Sequence, residues 1–220
     1  GALRDRPETA VADGVEVDAL WVDTAGSLWV GTGGSGLVRA RGARADRLLT
    51  ADGADLSTVL ALFQDREGSL WIGTGGGGLA RLRNARFTPI TSREGLPEDR
   101  AYTVAADPAG GAWAGTTGGL ARIVDGRVVR TISEADGLLG NDISAVYATR
   151  DGAVWAGVEG QGLCRLLAGR VVRCFTPETG LPDPFVIALY EDAAGTFWVG
   201  TATGLSRWTG SALVPFDAPG

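Results

Sequence analysis

Apolar residues fall in short runs such as V-L-A-L-F (59–63), A-Y-T-V-A-A (101–106) and V-I-A-L-Y (186–190), separated by glycine-rich turns. The runs are nearly continuous rather than alternating, the pattern of strands covered on both faces. They also repeat. L-W-V-G-T, L-W-I-G-T, A-W-A-G-T, V-W-A-G-V and F-W-V-G-T place Trp29, Trp71, Trp113, Trp155 and Trp198 at intervals of 42 to 43 residues. Such a period signals stacked supersecondary units.

Each copy carries the same frame. Six residues before the tryptophan stands Asp23, Asp65, Asp107 or Asp192, with Thr149 in the fourth copy, and three before it a glycine. D-x-x-G places Asp first and Gly fourth in a type I turn, which makes it a hairpin signal rather than an acid–base pair. After the tryptophan comes G-L-x-R, from Gly36–Arg39 through Gly204–Arg207, then another turn, then a last apolar strand such as Val128–Ile132. Four short antiparallel strands in 42 residues is the size of a propeller blade. The predicted fold is therefore all-β, a β-propeller of five four-stranded antiparallel blades over residues 15–218, with residues 1–14 as a linker or edge cover. Trp21, Phe63, Tyr147 and Tyr190, eight before the repeated tryptophan, are expected in the core, and Trp208, outside the frame, reads as packing or as an interface contact. The repeated Arg39, Arg81, Arg122, Arg165 and Arg207 point to ion pairs or hydrogen bonds with neighbouring blades.

Composition narrows the chemistry. The 220 residues include 20 basic and 26 acidic side chains, net charge −6, with 35 glycines and no histidine or methionine. Every basic residue is arginine. Without histidine there is no Ser-His-Asp catalysis and no His-ligated metal, and the acidic total disfavours nucleic acid as a partner. No apolar run reaches the roughly 18 residues of a membrane span, so no membrane insertion is expected. The run Gly75–Gly78 lacks a following Lys-Ser or Lys-Thr and precedes a strand, so it reads as a flexible link and not a phosphate cradle. Cys164 and Cys174 flank the Ala168-Gly169 turn: a three-residue turn sets them opposite each other for a disulfide, a two-residue turn offsets them by one, and both stay open.

The stretch A-L-F-Q-D-R-E-G-S-L-W-I-G-T-G-G-G-G-L-A-R-L-R-N-A-R-F (61–87) resembles the two-component regulator propeller repeat, and the other four copies are variants of it. That family's propellers, usually seven-bladed, lie outside the cytoplasmic membrane as input domains of signalling proteins, and many respond to glycans. The resemblance implies a periplasmic or extracellular ligand-sensing module without catalysis of its own. This chain has five repeats. A closed five-bladed ring is preferred, and a piece of a larger ring or a ring completed by a second chain are the alternatives.

Positions shared by all copies serve the blade, so function is expected where copies differ. In a propeller the loop entering each inner strand and the loop between second and third strands open on one face. The first kind supplies Asp18, Asp55 and Ser57, Glu98, Asp99 and Arg100 with Tyr102 beside them, Asn141 and Asp142, and Asp183 with Phe185; the second supplies Ser35, Thr117, Glu159, Gln161 and Thr203. Carboxylates, amides, one arginine and aromatics suit the hydroxyls and apolar faces of a sugar. The candidate ligand site is thus Glu98, Asp99, Arg100, Tyr102, Asn141, Asp142, Glu159, Gln161, Asp183 and Phe185, with no cofactor, metal or catalytic residue. A small molecule or oligosaccharide is the expected ligand, and a protein partner or homo-oligomer fits the alternative of an assembly module. A five-bladed glycosidase would use Asp99, Asp142, Asp183 and Glu159, but copies of nearly equal length leave little wall around a substrate.

Overall fold

The computed structural model describes residues 14–42 and 44–216; residues 1–13 of the expected linker lie outside them. Five four-stranded antiparallel sheets follow one another along the chain. The first holds β1 (Val17–Val22), β2 (Leu28–Thr32), β3 (Gly36–Arg41) and β4 (Arg44–Leu48). A small hairpin, β5 (Thr50–Ala51) and β6 (Ala54–Asp55), precedes the second, formed by β7 (Val59–Gln64), β8 (Leu70–Thr74), β9 (Leu79–Arg83) and β10 (Arg86–Ile90). The third comprises β11 (Ala101–Ala106), β12 (Ala112–Thr116), β13 (Gly119–Val124) and β14 (Arg127–Ile132). The fourth is β15 (Ile143–Ala148), β16 (Val154–Val158), β17 (Gly162–Leu167) and β18 (Arg170–Phe175). The fifth is β19 (Val186–Glu191), β20 (Phe197–Thr201), β21 (Leu205–Trp208) and β22 (Leu213–Pro215). Strands pair in sequence order in every sheet, as in propeller blades. Contacts divide the chain into two compact units, Gly1–Val104 and Ala105–Gly220, the boundary falling inside β11. Among the described residues no helix is long and apolar enough to cross a membrane.

The repeated tryptophans sit on the second strand of each blade, and Trp29, Trp113 and Trp155 fill layers between blades. In the first unit Trp29 and Leu37 of blade 1 pack on Val59, Leu70, Ile72 and Phe87 of blade 2. In the second unit Trp113, Leu120 and Ile132 meet Ile143, Val146 and Val154, while Trp155 and Phe175 meet Phe197, Val199 and Leu213. Trp208 belongs to this last layer, edge-on to Trp155 at 5.1 Å and to Phe175 at 5.6 Å. Trp21 and Phe63 pack edge-to-face and Tyr147 lies against Phe197, but all three are half-buried at the margin of the core rather than inside it. Tyr190 departs from that expectation and is exposed.

The D-x-x-G turns form as the sequence requires, each glycine amide donating to the carbonyl three residues back. The aspartates do more than turn the chain. In Asp23, Asp65 and Asp192 one carboxylate oxygen accepts amides of the turn and the other accepts the indole N–H of the following tryptophan at 2.8–2.9 Å. A buried ring is thereby given its one obligatory partner. In blade 3 Asp107 turns to Arg122 instead, and the Trp113 indole N–H has no partner.

Arg39, Arg81, Arg122 and Arg165 serve their own blades, which corrects the expectation of neighbour-blade partners for these four. Each stands directly across the ladder from the tryptophan, as in Trp29↔Arg39 and Trp71↔Arg81, so the guanidinium lies 5.1–5.8 Å from the ring centroid in blades 1 to 4. Its hydrogens go to Ser27 and Ser69 in blades 1 and 2. Where glycine or alanine replaces that serine, they go to Asp107 and Asp151. Arg165 alone also reaches the next blade, over Trp208 at 5.5 Å.

The glycine of G-L-x-R has positive φ in the first four blades, and a Cβ there would sit 2.2–2.7 Å from a carbonyl of the outer strand. Gly78, the end of the Gly75–Gly78 run, is one of these, so the run is a packed crossing rather than a slack link. Cys164 and Cys174 are joined by a disulfide. The turn between them holds only two residues, Leu167 pairing with Arg170, but a bulge after Arg165 leaves Val172 unpaired and brings Cys174 opposite Cys164.

Two outcomes follow. Trp71, fully buried, should cost about 3–5 kcal/mol when replaced by alanine, measured by urea denaturation. The second concerns acid. Burial opposes ionisation of Asp23, but hydrogen bonds from the Trp29 indole and the turn amides outweigh it and hold the carboxyl below its ordinary value; the Trp198 indole and Thr196 amide do the same for Asp192. With folded pKa values below the unfolded value of about 3.9, the stabilisation is complete above that pH and is lost as pH falls through the folded values. The Asp23→Asn/Asp192→Asn pair should therefore show a shallower loss of urea midpoint between about pH 5 and 2 than the parent.

Candidate functional site

At the end of the blades away from the D-x-x-G turns, two kinds of loop are tied together by one recurring bond. The first amide after the second strand donates to the carbonyl just before the first strand of the same blade: Gly33 to Glu16 (3.1 Å), Gly75 to Thr58 (3.0 Å), Glu159 to Asp142 (2.8 Å) and Ala202 to Phe185 (3.0 Å). In blades 1, 2, 4 and 5 the backbone thus brings the two kinds of loop to one end of the blade.

The loops leading out of blades 2, 3 and 4 share a build. Each opens with a 3₁₀ turn, Ser92–Glu94, Glu134–Asp136 and Pro177–Thr179, whose preceding Thr91, Ser133 or Thr176 is closed by a reciprocal capping box. Each turn ends on a glycine with φ near +100° (Gly95, Gly137, Gly180), and the next leucine is buried. A second tie crosses the loop. Asp99 accepts the Ser92 amide at 2.6 Å and its hydroxyl at 3.1 Å, and Asn141 accepts the Glu134 amide at 2.7 Å. In the third loop the amide position is Pro177 and the acceptor position Pro184, so donor and acceptor vanish together.

Asp99 and Asn141, selected as ligand-binding residues, are therefore also ties of the loop. Glu98 and Arg100 are exposed in the first unit, the Arg100 guanidinium lying 5.0 Å from the centroid of Tyr102. In the first unit too, the Ser57 amide and hydroxyl hold the Asp55 carboxyl below its ordinary value. In the second unit the selected residues converge. The Gln161 amide lies against Gly140, where a Cβ would come within 2.5 Å of it, and the exposed Phe185 ring lies over Gly160. Glu159 is exposed between them, Asp183 accepts the Phe185 amide at 2.8 Å, and Asp142 Oδ1 is buried without a hydrogen-bond partner. Asn141, Asp142, Glu159, Gln161, Asp183 and Phe185 form one neighbourhood across blades 4 and 5.

Two clefts lie elsewhere. About 610 Å³ opens between blades 1 and 2 on the D-x-x-G side, lined by Asp23, Trp29, Arg39, Asp46, Gln64 and Phe87 among others, and a smaller cleft of 380 Å³ takes the same place between blades 4 and 5 beside Trp155, Glu191 and Trp208. No selected loop residue lines either. Their walls include the repeated Asp23, Trp29, Arg39 and Trp155, positions that serve the blade. We weight the loop cluster above them because the clefts' Asp23 and Arg39 are already engaged with Trp29 and Ser27. Among the described residues no group of three or more His, Cys, Asp or Glu side chains could hold a metal ion.

Removing the tie in the third blade's loop should be felt locally. Asn141→Ala leaves the Glu134 amide without its acceptor and should lower stability by about 0.5–1.5 kcal/mol, while Asn141→Asp should keep the parent urea midpoint.

No curated protein sequence matches the chain. Among solved structures, the extracellular domain of a hybrid two-component system from B. thetaiotaomicron superposes with a TM-score of 0.78 at 26% identity, over 92% of this chain and 29% of that one. The extracellular domain of a one-component system from the same organism gives 0.78 at 22% identity, over 99% and 33%. This chain thus spans about a third or less of those relatives. A catalytically inactive histidine-to-alanine variant of virginiamycin B lyase from Staphylococcus aureus, solved with quinupristin, gives 0.73 at 18% identity, over 94% and 71%. The two-component regulator propeller family model matches residues 54–76 and 180–203, stretches of the second and fifth repeats of this chain.

Proposed function

We propose that the chain is a non-enzymatic, extracytoplasmic recognition domain of a bacterial signalling protein, and that it binds an oligosaccharide through the loop end of blades 4 and 5. The observation that carries this reading is the division of labour among polar side chains. Asp23, Asp65 and Asp192 and the arginines of blades 1 to 4 are engaged with the tryptophans, whereas Asp142 Oδ1, Glu159, Gln161 and the exposed Phe185 ring converge without being consumed by the blade. Carboxylate and carboxamide groups beside an aromatic face match the alternating hydroxyl and C–H surfaces of a sugar.

Two further points support it. The Cys164–Cys174 disulfide fits an oxidising compartment, in keeping with relatives that are extracellular domains. The lyase relative is inactive without one of its histidines, and this chain contains no histidine at all.

An oligosaccharide panel screened by thermal shift and calorimetry tests the proposal. A ligand should raise the melting temperature of the parent; Phe185→Ala and Gln161→Ala should each weaken it tenfold or more, and Arg81→Ala should leave affinity within about twofold. Binding that ignores Phe185 and Gln161 would move the site elsewhere, and turnover of the bound sugar would overturn the non-enzymatic reading.

A further inference from the structure

The cleft between blades 1 and 2 lies wholly within the first unit, and its two walls differ in character. Register fixes what each presents. On the blade 1 side Trp29, Arg39 and Asp46 stand in one row across β2, β3 and β4, and Arg41 pairs with Arg44 two positions along. Side chains two apart on a strand share a face, so Arg39, Arg41, Arg44 and Asp46 lie on the face whose Trp29 packs on blade 2. On the blade 2 side Leu70, Leu82 and Phe87 stand in one row across β8, β9 and β10, an apolar wall. Beside the 610 Å³ cleft, a recess of about 190 Å³ shares Arg39 and Asp46 with it and adds Arg41 and Arg44. In a chain of net charge −6, this recess sets three guanidinium groups against the Asp46 carboxylate. Asp23 of the cleft is taken up by its own turn and the Trp29 indole.

Two differences between copies make this corner what it is. In blade 2 the matching arginines, Arg81 and Arg83, share Glu67 at 3.7 and 3.2 Å. The position of Glu67, two after the turn aspartate, is Ala25 in blade 1. Blade 1 thus keeps the cations of that arrangement and lacks its anion: among the described residues Arg39, Arg41 and Arg44 form no ion pair. Arg39 turns to the Ser27 hydroxyl, while Arg41 and Arg44 are exposed. The second difference is on the far wall. Leu82 follows the repeated arginine of its blade, and the residue in that place in blade 5 is Trp208, which packs edge-on to Trp155 and lies 5.5 Å from the Arg165 guanidinium. A leucine leaves that room open, and the cleft measures about 610 Å³ against 380 Å³.

We propose that this cleft is a binding site for a small amphipathic carboxylate, its anionic group held by Arg41 and Arg44 and its apolar body laid on Leu82 and Phe87 beside Trp29. The planar guanidinium fork matches a carboxylate, and a cleft of this volume with an apolar wall and a few convergent polar groups is of small-ligand size. The ligand gives Arg41 the negative charge that Glu67 gives Arg83. The site lies at the D-x-x-G end of the first unit and shares no residue with the loop cluster of the second, so this reading does not rest on the oligosaccharide one.

2-Naphthoate, which joins a carboxylate to a flat apolar body, is the probe. Titrated into the full chain and followed by calorimetry and indole fluorescence, it should bind at one equivalent. Neutral 2-naphthamide lacks the charge and glucuronate the apolar body, and each should bind at least tenfold more weakly. Arg41→Gln/Arg44→Gln should weaken 2-naphthoate tenfold or more, whereas Arg86→Gln, on the outer strand of blade 2, should leave it within about twofold. Leu82→Trp, which puts the ring of blade 5 into the cleft, should abolish binding; the arginine pair, confined to exposed side chains, carries the test should that ring disturb the fold. Naphthamide binding as tightly as naphthoate would overturn the proposal, leaving an apolar crevice that recognises no anion. So would tighter binding of glucuronate, an affinity that survives Arg41→Gln/Arg44→Gln, or no binding up to millimolar concentration. Oligosaccharide binding should be unchanged in Arg41→Gln/Arg44→Gln, so the failure of either reading is seen apart from the other.

Discussion

Everything in this molecule depends on seating a bulky indole between two sheets without stranding its N–H. A tryptophan has the area to fill the layer between blades, but its single donor must find an acceptor once water is excluded. The D-x-x-G turn solves both problems with one residue: the carboxylate closes the hairpin with one oxygen and takes the indole with the other. From across the ladder the arginine then covers the ring's outer face. Turn, ring and guanidinium form a unit that each blade repeats, and the exceptions show how closely it is coupled. Losing the serine acceptor in blade 3 draws Arg122 to Asp107 and leaves Trp113 without its partner.

Much of the fold was legible because several fixed offsets agree five times over. The blade, its turns and the placement of tryptophan between sheets need only that repetition. The second role of Asp65 was not legible, since a turn signal already accounts for an aspartate at that position. The arginines were placed in the right strand but given the wrong partners, because cross-strand register decides which side chains meet and one residue's shift moves them to the other face. The same sensitivity left the cysteines undecided: the sequence allows a turn of two or of three residues, and the bulge that aligns them across a two-residue turn has no simple signature.

The candidate site was legible in part. The loops do gather at one end of the blades, and six of the ten selected residues share one neighbourhood. Asp99 and Asn141 carry a second duty visible only when each is read with the residue seven earlier. Pro177 and Pro184 mark the loop that dispenses with it. Tyr190 was expected in the core on its position in the repeat, and position alone does not say whether a neighbour exists to cover it.

The disulfide has a consequence for how the molecule comes apart. Cys164 and Cys174 lie on adjacent strands of a single blade, so the bond fastens an outermost strand to its own sheet and spans no layer between sheets. Reduction would let the rim of blade 4 fray while the indole-filled seams stay governed by packing alone. Redox state and blade separation are, in this architecture, controlled by different parts of the chain.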